Sequence, residues 1–106
     1  MRILFDQGTP VPLRSFLSSH QVETAFERGW STLSNGDLLA VAEQEGFEVF
    51  VTTDKNLRNQ QTFGGLRIAI VVLSSTSWPR IQKAVTAVKQ TIDAASPGSF
   101  KEVGIP

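Results

Sequence analysis

The chain has 106 residues, 41% of them apolar and 19% charged, which suits one packed core and leaves little room for a second domain. Ten Lys and Arg offset ten Asp and Glu, so any binding of nucleic acid must rest on local basic groups rather than on total charge. With no cysteine in the chain, disulfides, thiolate zinc sites and cysteine nucleophiles are excluded.

In chain order, Ile3-Leu4-Phe5 reads as a short strand, because a continuous apolar run marks a strand covered on both faces. Asp6 follows it at once. That acid comes too early for the apolar region of a signal peptide, and no later apolar run reaches the roughly 20 residues of a membrane span, so a cytoplasmic protein is expected. Gly8 to Pro12 forms a turn that opens a helix carrying Leu13, Phe16 and Leu17. Val22 to Phe26 alternates apolar and polar residues as a second strand does, and Gly29 to Leu33 is a loop. Ser34 or Asn35 caps the next helix, whose Leu38, Leu39, Val41 and Ala42 precede a stop at Gly46.

Phe47 to Thr53 is the third strand, followed by a polar helical turn from Asp54 to Gln61 and a break at Gly64-Gly65. Ile68 to Leu73 is the fourth. Ser77-Trp78-Pro79 starts the longest helix, with Ile81, Val85, Val88 and Ile92 on one face, and Ser96-Pro97-Gly98 ends it. Phe100 to Val103 adds a small edge strand. Alternating strands and helices imply a three-layer α/β/α sandwich around a mainly parallel sheet of four or five strands, forming a single domain.

The chemistry is concentrated in three aspartates. Asp6 and Asp54 stand where strands stop, and Asp37 opens the helix between them. Carboxyl ends of parallel strands are where α/β sheets build their sites, and gathered oxygen ligands suit Mg2+ or Mn2+. Thr52 and Thr53 precede Asp54 and could orient it. Plainer roles stay open: Asp37 as a helix-start residue and Asp54 as a cap. Glu43 and Glu45 read as solvated helix surface, as do Arg80, Lys83 and Lys89. Arg14, Lys55 and Arg58 could reach phosphate oxygens, and Asn59-Gln60-Gln61 could border a substrate groove. His20 is the only histidine, so a zinc site is not expected. Gly64-Gly65 lacks the Lys-Ser/Thr of a phosphate loop.

Three ordered segments carry a resemblance: Ile3-Leu4-Phe5-Asp6-Gln7-Gly8-Thr9-Pro10, Gly36-Asp37-Leu38-Leu39-Ala40 and Val51-Thr52-Thr53-Asp54-Lys55-Asn56-Leu57. Together they resemble the short bacterial PIN-like domains, which open with an apolar run into Asp-Glu-Asn-Leu-Pro. The resemblance implies a Mg2+- or Mn2+-dependent ribonuclease with Asp6, Asp37 and Asp54 as catalytic metal ligands. Water activated by the metal would hydrolyse an RNA phosphodiester, leaving a 3′-hydroxyl and a 5′-phosphate. It also implies the role of toxin in a toxin–antitoxin pair, with RNA, an antitoxin protein and a second copy of the chain as partners. Gln7 departs from the pattern by replacing the usual Glu, which removes one carboxylate. A PIN-like protein-binding module with impaired catalysis is therefore the alternative.

Overall fold

The computed structural model describes residues 1–59 and 65–106. Its single sheet is parallel throughout, in the order β2-β1-β3-β4-β5. The strands are β1 (Arg2–Phe5), β2 (Gln21–Thr24), β3 (Val49–Thr52), β4 (Ala69–Leu73) and β5 (Phe100–Val103). The helices are α1 (Asn35–Gln44), α2 (Trp78–Lys83) and α3 (Val85–Asp93), with 3-10 turns at Val11–Phe16 and Lys55–Asn59.

Two cores follow from the two-residue period of a strand. Ile3, Phe5, Val49, Val51 and Val71 point one way and pack with Leu13, Leu17, Ile81, Val88 and Ile92. Leu4, Phe50, Ile70 and Val72 point the other way, toward Leu38, Leu39, Ala42 and Leu57. The result is the expected three-layer α/β/α sandwich, with β1 beside both β2 and β3.

Three local expectations change. The segment after β1 is a 3-10 turn, not an α-helix. Strand β2 stops at Thr24, and Phe26 beyond it is 76% exposed. The long last helix is two helices: at Ala84 (φ −111°, ψ 14°) the backbone N–H bonds the Ile81 carbonyl three residues back, which tightens the turn. No glycine or proline stands at that break. Val88 and Ile92 still reach the same core as Ile81, so the apolar stripe survives the bend. Among the described residues, no helix is long and apolar enough to cross a membrane.

Candidate functional site at the carboxyl ends of β1 and β3

The register of the sheet brings Asp6 and Thr52 side by side. Phe5 pairs with Val51, so the next residue of each strand lies on the opposite face, toward α1. There Asp6 is buried, at 6% exposure. Its two carboxylate oxygens accept hydroxyl donors, Oδ1 from Thr9 Oγ1 at 2.6 Å and Oδ2 from Thr52 Oγ1 at 2.5 Å. Thr9 Oγ1 also lies 3.0 Å from the Val51 carbonyl. A buried carboxylate needs such donors, because desolvation without them is costly. The Thr52 hydroxyl serves twice: it donates to Asp6 and accepts the backbone N–H of Asp54 at 3.0 Å. One side chain thus couples the two aspartates.

Asp54 is half-buried. Its Oδ1 accepts the Asn56 backbone N–H at 2.9 Å, so it caps the 3-10 turn as its plainer reading suggested. Its Oδ2 accepts Asn35 Nδ2 at 3.0 Å. Asn35 is the first residue of α1, so this bond fixes the N-terminus of that helix over the end of β3. The partial positive charge at a helix N-terminus favours a carboxylate nearby.

Asp37 lies in the first turn of α1 with its backbone N–H bonded to Ser34 Oγ at 3.2 Å, and it is exposed. Its helix-start role is therefore visible. The three aspartates do not converge: among the described residues, no group of three or more His, Cys, Asp or Glu side chains is placed to hold a metal ion.

The neighbouring residues divide in the same way. Gln7 Nε2 donates to the Ser31 carbonyl at 2.9 Å, tying the loop after β1 to the loop before α1. A glutamate there would present an acceptor to an acceptor, which gives Gln7 a structural reason. Gly8 presses against β3, for a Cβ at that position would come within 2.5 Å of Thr53 Oγ1. Arg14 is engaged by Glu27 at 3.0 Å and 3.1 Å, not poised over the site. The Thr24 backbone N–H and then the Arg14 guanidinium hold the Glu27 carboxyl below its ordinary range. Lys55 is exposed beside Asp54. The side chain of Arg58, and Gln60 and Gln61, lie outside the described residues.

Glu43 and Glu45 are not idle surface. Glu43 accepts the backbone N–H groups of Arg67 and Ile68 just before β4, and Glu45 pairs with Arg28 at 2.5 Å.

Thr9 and Asn35 are the site residues that the sequence reading missed as such. The signal for Thr9 was its hydroxyl three residues after Asp6, a spacing at which Asp and Thr side chains commonly meet. The sequence offers Asn35 only as one of two cap residues, and Ser34 takes that role.

The donors at this rim are carboxylate, amide and hydroxyl oxygens, a hard set that fits Mg2+ or Mn2+ better than softer metals. A carboxylate offers about four acceptor positions, so Asp6 and Asp54, each with two side-chain hydrogen bonds among the described residues, retain capacity for a cation. The fit is thus one of two carboxylates rather than three. A cavity of about 360 Å³ lined by Met1, Glu43, Phe47, Glu48, Arg67 and Ser96 lies at the opposite, amino end of the strands, away from these acids. Set against protein-family models, curated proteins and solved structures, the chain matches none.

Proposed function

We propose that this chain is a small PIN-like ribonuclease that hydrolyses RNA phosphodiesters with Mg2+ or Mn2+, acting in the cytoplasm as the toxin of a toxin–antitoxin pair. The observation that carries the enzymatic part is the pair Asp6 and Asp54 at the ends of adjacent parallel strands, coupled through the Thr52 hydroxyl. The toxin role rests on the resemblance of the three Asp-bearing segments.

Asp6 and Asp54 would hold the cation, with Asp37 supplying charge from the first turn of α1. A bound divalent cation supplies charge neutralisation at a phosphate and a water acidic enough to attack it. The chain's own residues do the rest. Thr9 and Thr52 fix the rotamer of Asp6, so that its carboxylate is oriented before any ligand arrives. Asn35 does the same for Asp54. Lys55, next in the chain, is exposed where it can meet a phosphate oxygen.

The test pairs Mn2+ calorimetry with cleavage of a single-stranded RNA. Asp54→Asn should reduce cleavage by about 100-fold or more, the scale of losing a group that stabilises the transition state, and should leave Tm within a few degrees. An unfolded Asp54→Asn chain, or one that cleaves like the parent, overturns the assignment.

The alternative, a protein-binding module without catalysis, is favoured by one specific observation: no three-acid group forms among the described residues. Absence of any Mn2+ isotherm in the parent chain would select it.

A further inference from the structure

The row of side chains that begins at Asp6 continues across the sheet. Thr52 pairs with Val72, and Val72 pairs with Glu102. Asp6, Thr52, Val72 and Glu102 therefore lie in one line on one face, at the carboxyl end of four successive strands. Neighbouring strands are about 4.8 Å apart, so the whole line measures only about 14 Å. Over its far half lies a cavity of about 270 Å³, lined by Lys55, Val72, Ser74, Glu102, Val103 and Gly104. Lys55 directly follows Asp54, so the cavity adjoins the candidate site.

We propose that this cavity is a nucleotide subsite, which receives one nucleotide of single-stranded RNA next to the phosphate lying over Asp6 and Asp54. The inference rests on the ribonuclease reading for its choice of ligand. The lining matches the parts of a nucleotide. The Lys55 ammonium suits a phosphate oxygen. Val72 gives the cavity an apolar patch on this face, and the Glu102 carboxylate carries oxygens that can accept from exocyclic amino or ribose hydroxyl groups. Ser74 Oγ accepts the Ile105 backbone N–H at 2.7 Å, and among the described residues its hydroxyl proton has no acceptor, so it can donate to a ligand.

Gly104 keeps the cavity open. A Cβ there would meet no atom within 4 Å, and its φ lies outside the left-handed region, so the backbone accepts a side chain. A larger residue should fill the space without straining the fold.

The experiment uses the whole chain in EDTA, so that binding is read without metal. A fluorescent single-stranded RNA is titrated with the parent and Gly104→Leu chains. Gly104→Leu should weaken binding about tenfold, the scale of losing one base contact, with Tm unchanged. As a check free of mutation, adenosine monophosphate added to the parent should shift the backbone amide resonances of Ser74 and Gly104. Parent-like RNA binding by a folded Gly104→Leu chain, no binding by the parent, or amide shifts elsewhere would each overturn the subsite. RNA binding that depends on Gly104 in a chain that never cleaves RNA would keep the subsite and remove the nuclease. Cleavage that is indifferent to Gly104→Leu would do the reverse.

Discussion

Two clusters of charged residues on the α1 side of the sheet solve the problem of acidic groups differently. Between α1 and β2, Glu23 and Glu45 are each matched by a cation: Arg2 meets Glu23 at 3.5 Å, and Arg28 meets Glu23 at 3.4 Å and Glu45 at 2.5 Å. The same guanidinium groups lie over aromatic rings, Arg2 4.4 Å from the Phe47 centroid and Arg28 4.7 Å from that of Trp30. At the carboxyl rim, Asp6 and Asp54 are held by neutral hydroxyl and amide donors, and neither has an ion pair among the described residues. A carboxylate already neutralised by arginine has little left to offer a ligand. One oriented by neutral donors keeps its charge, and that separates the acids that build the fold from those that could act on a substrate.

The sharpest way to break this contrast is Thr52→Val, which keeps shape and removes one hydroxyl. It strips a donor from buried Asp6 and an acceptor from the Asp54 N–H. Leaving buried polar groups unmatched should cost about 3 kcal/mol, or roughly 15 °C in Tm for a domain of this size. Urea unfolding would measure it, and a loss below about 0.5 kcal/mol would mean that the hydroxyl does not hold the rim together.

Arg28→Ala probes the paired cluster. Partly exposed ion pairs and a cation–π contact are each worth only about 0.5–1 kcal/mol, so a loss of about 1–2 kcal/mol is expected, shrinking in 1 M salt as screening sets in. RNA cleavage should not change. If activity falls with Arg28 while the fold holds, the division between the two regions fails.

The smallest effect belongs to Gln7→Glu. It exchanges a donor for an acceptor facing the Ser31 carbonyl, and for one exposed hydrogen bond the cost should stay near 1 kcal/mol. A more stable chain in thermal melts would show that the Gln7–Ser31 tie does not matter.

Much of this was legible beforehand. The first four strands, a mainly parallel sheet and the positions of Asp6 and Asp54 at strand ends follow from apolar runs bounded by turn residues, while the fifth strand, Phe100–Val103, has no such run to mark it. The break at Ala84 was not legible, because the stripe Ile81, Val85, Val88 and Ile92 keeps helical spacing on both sides of it. The helical surface assigned to Glu43 was likewise misleading: its partners are backbone N–H groups 24 and 25 residues away, which no local pattern encodes.

By itself, then, the sequence determined which segments become strands and helices and which residues meet the core, since two- and three-to-four-residue periods are properties of a single segment. Only the tertiary structure decided which polar groups meet. Thr52 couples Asp6 to Asp54, Asn35 reaches Asp54, Gln7 turns to Ser31 and Asp37 stands apart, because hydrogen bonds form within about 3 Å and that proximity is fixed by strand register and helix placement, not by position along the chain.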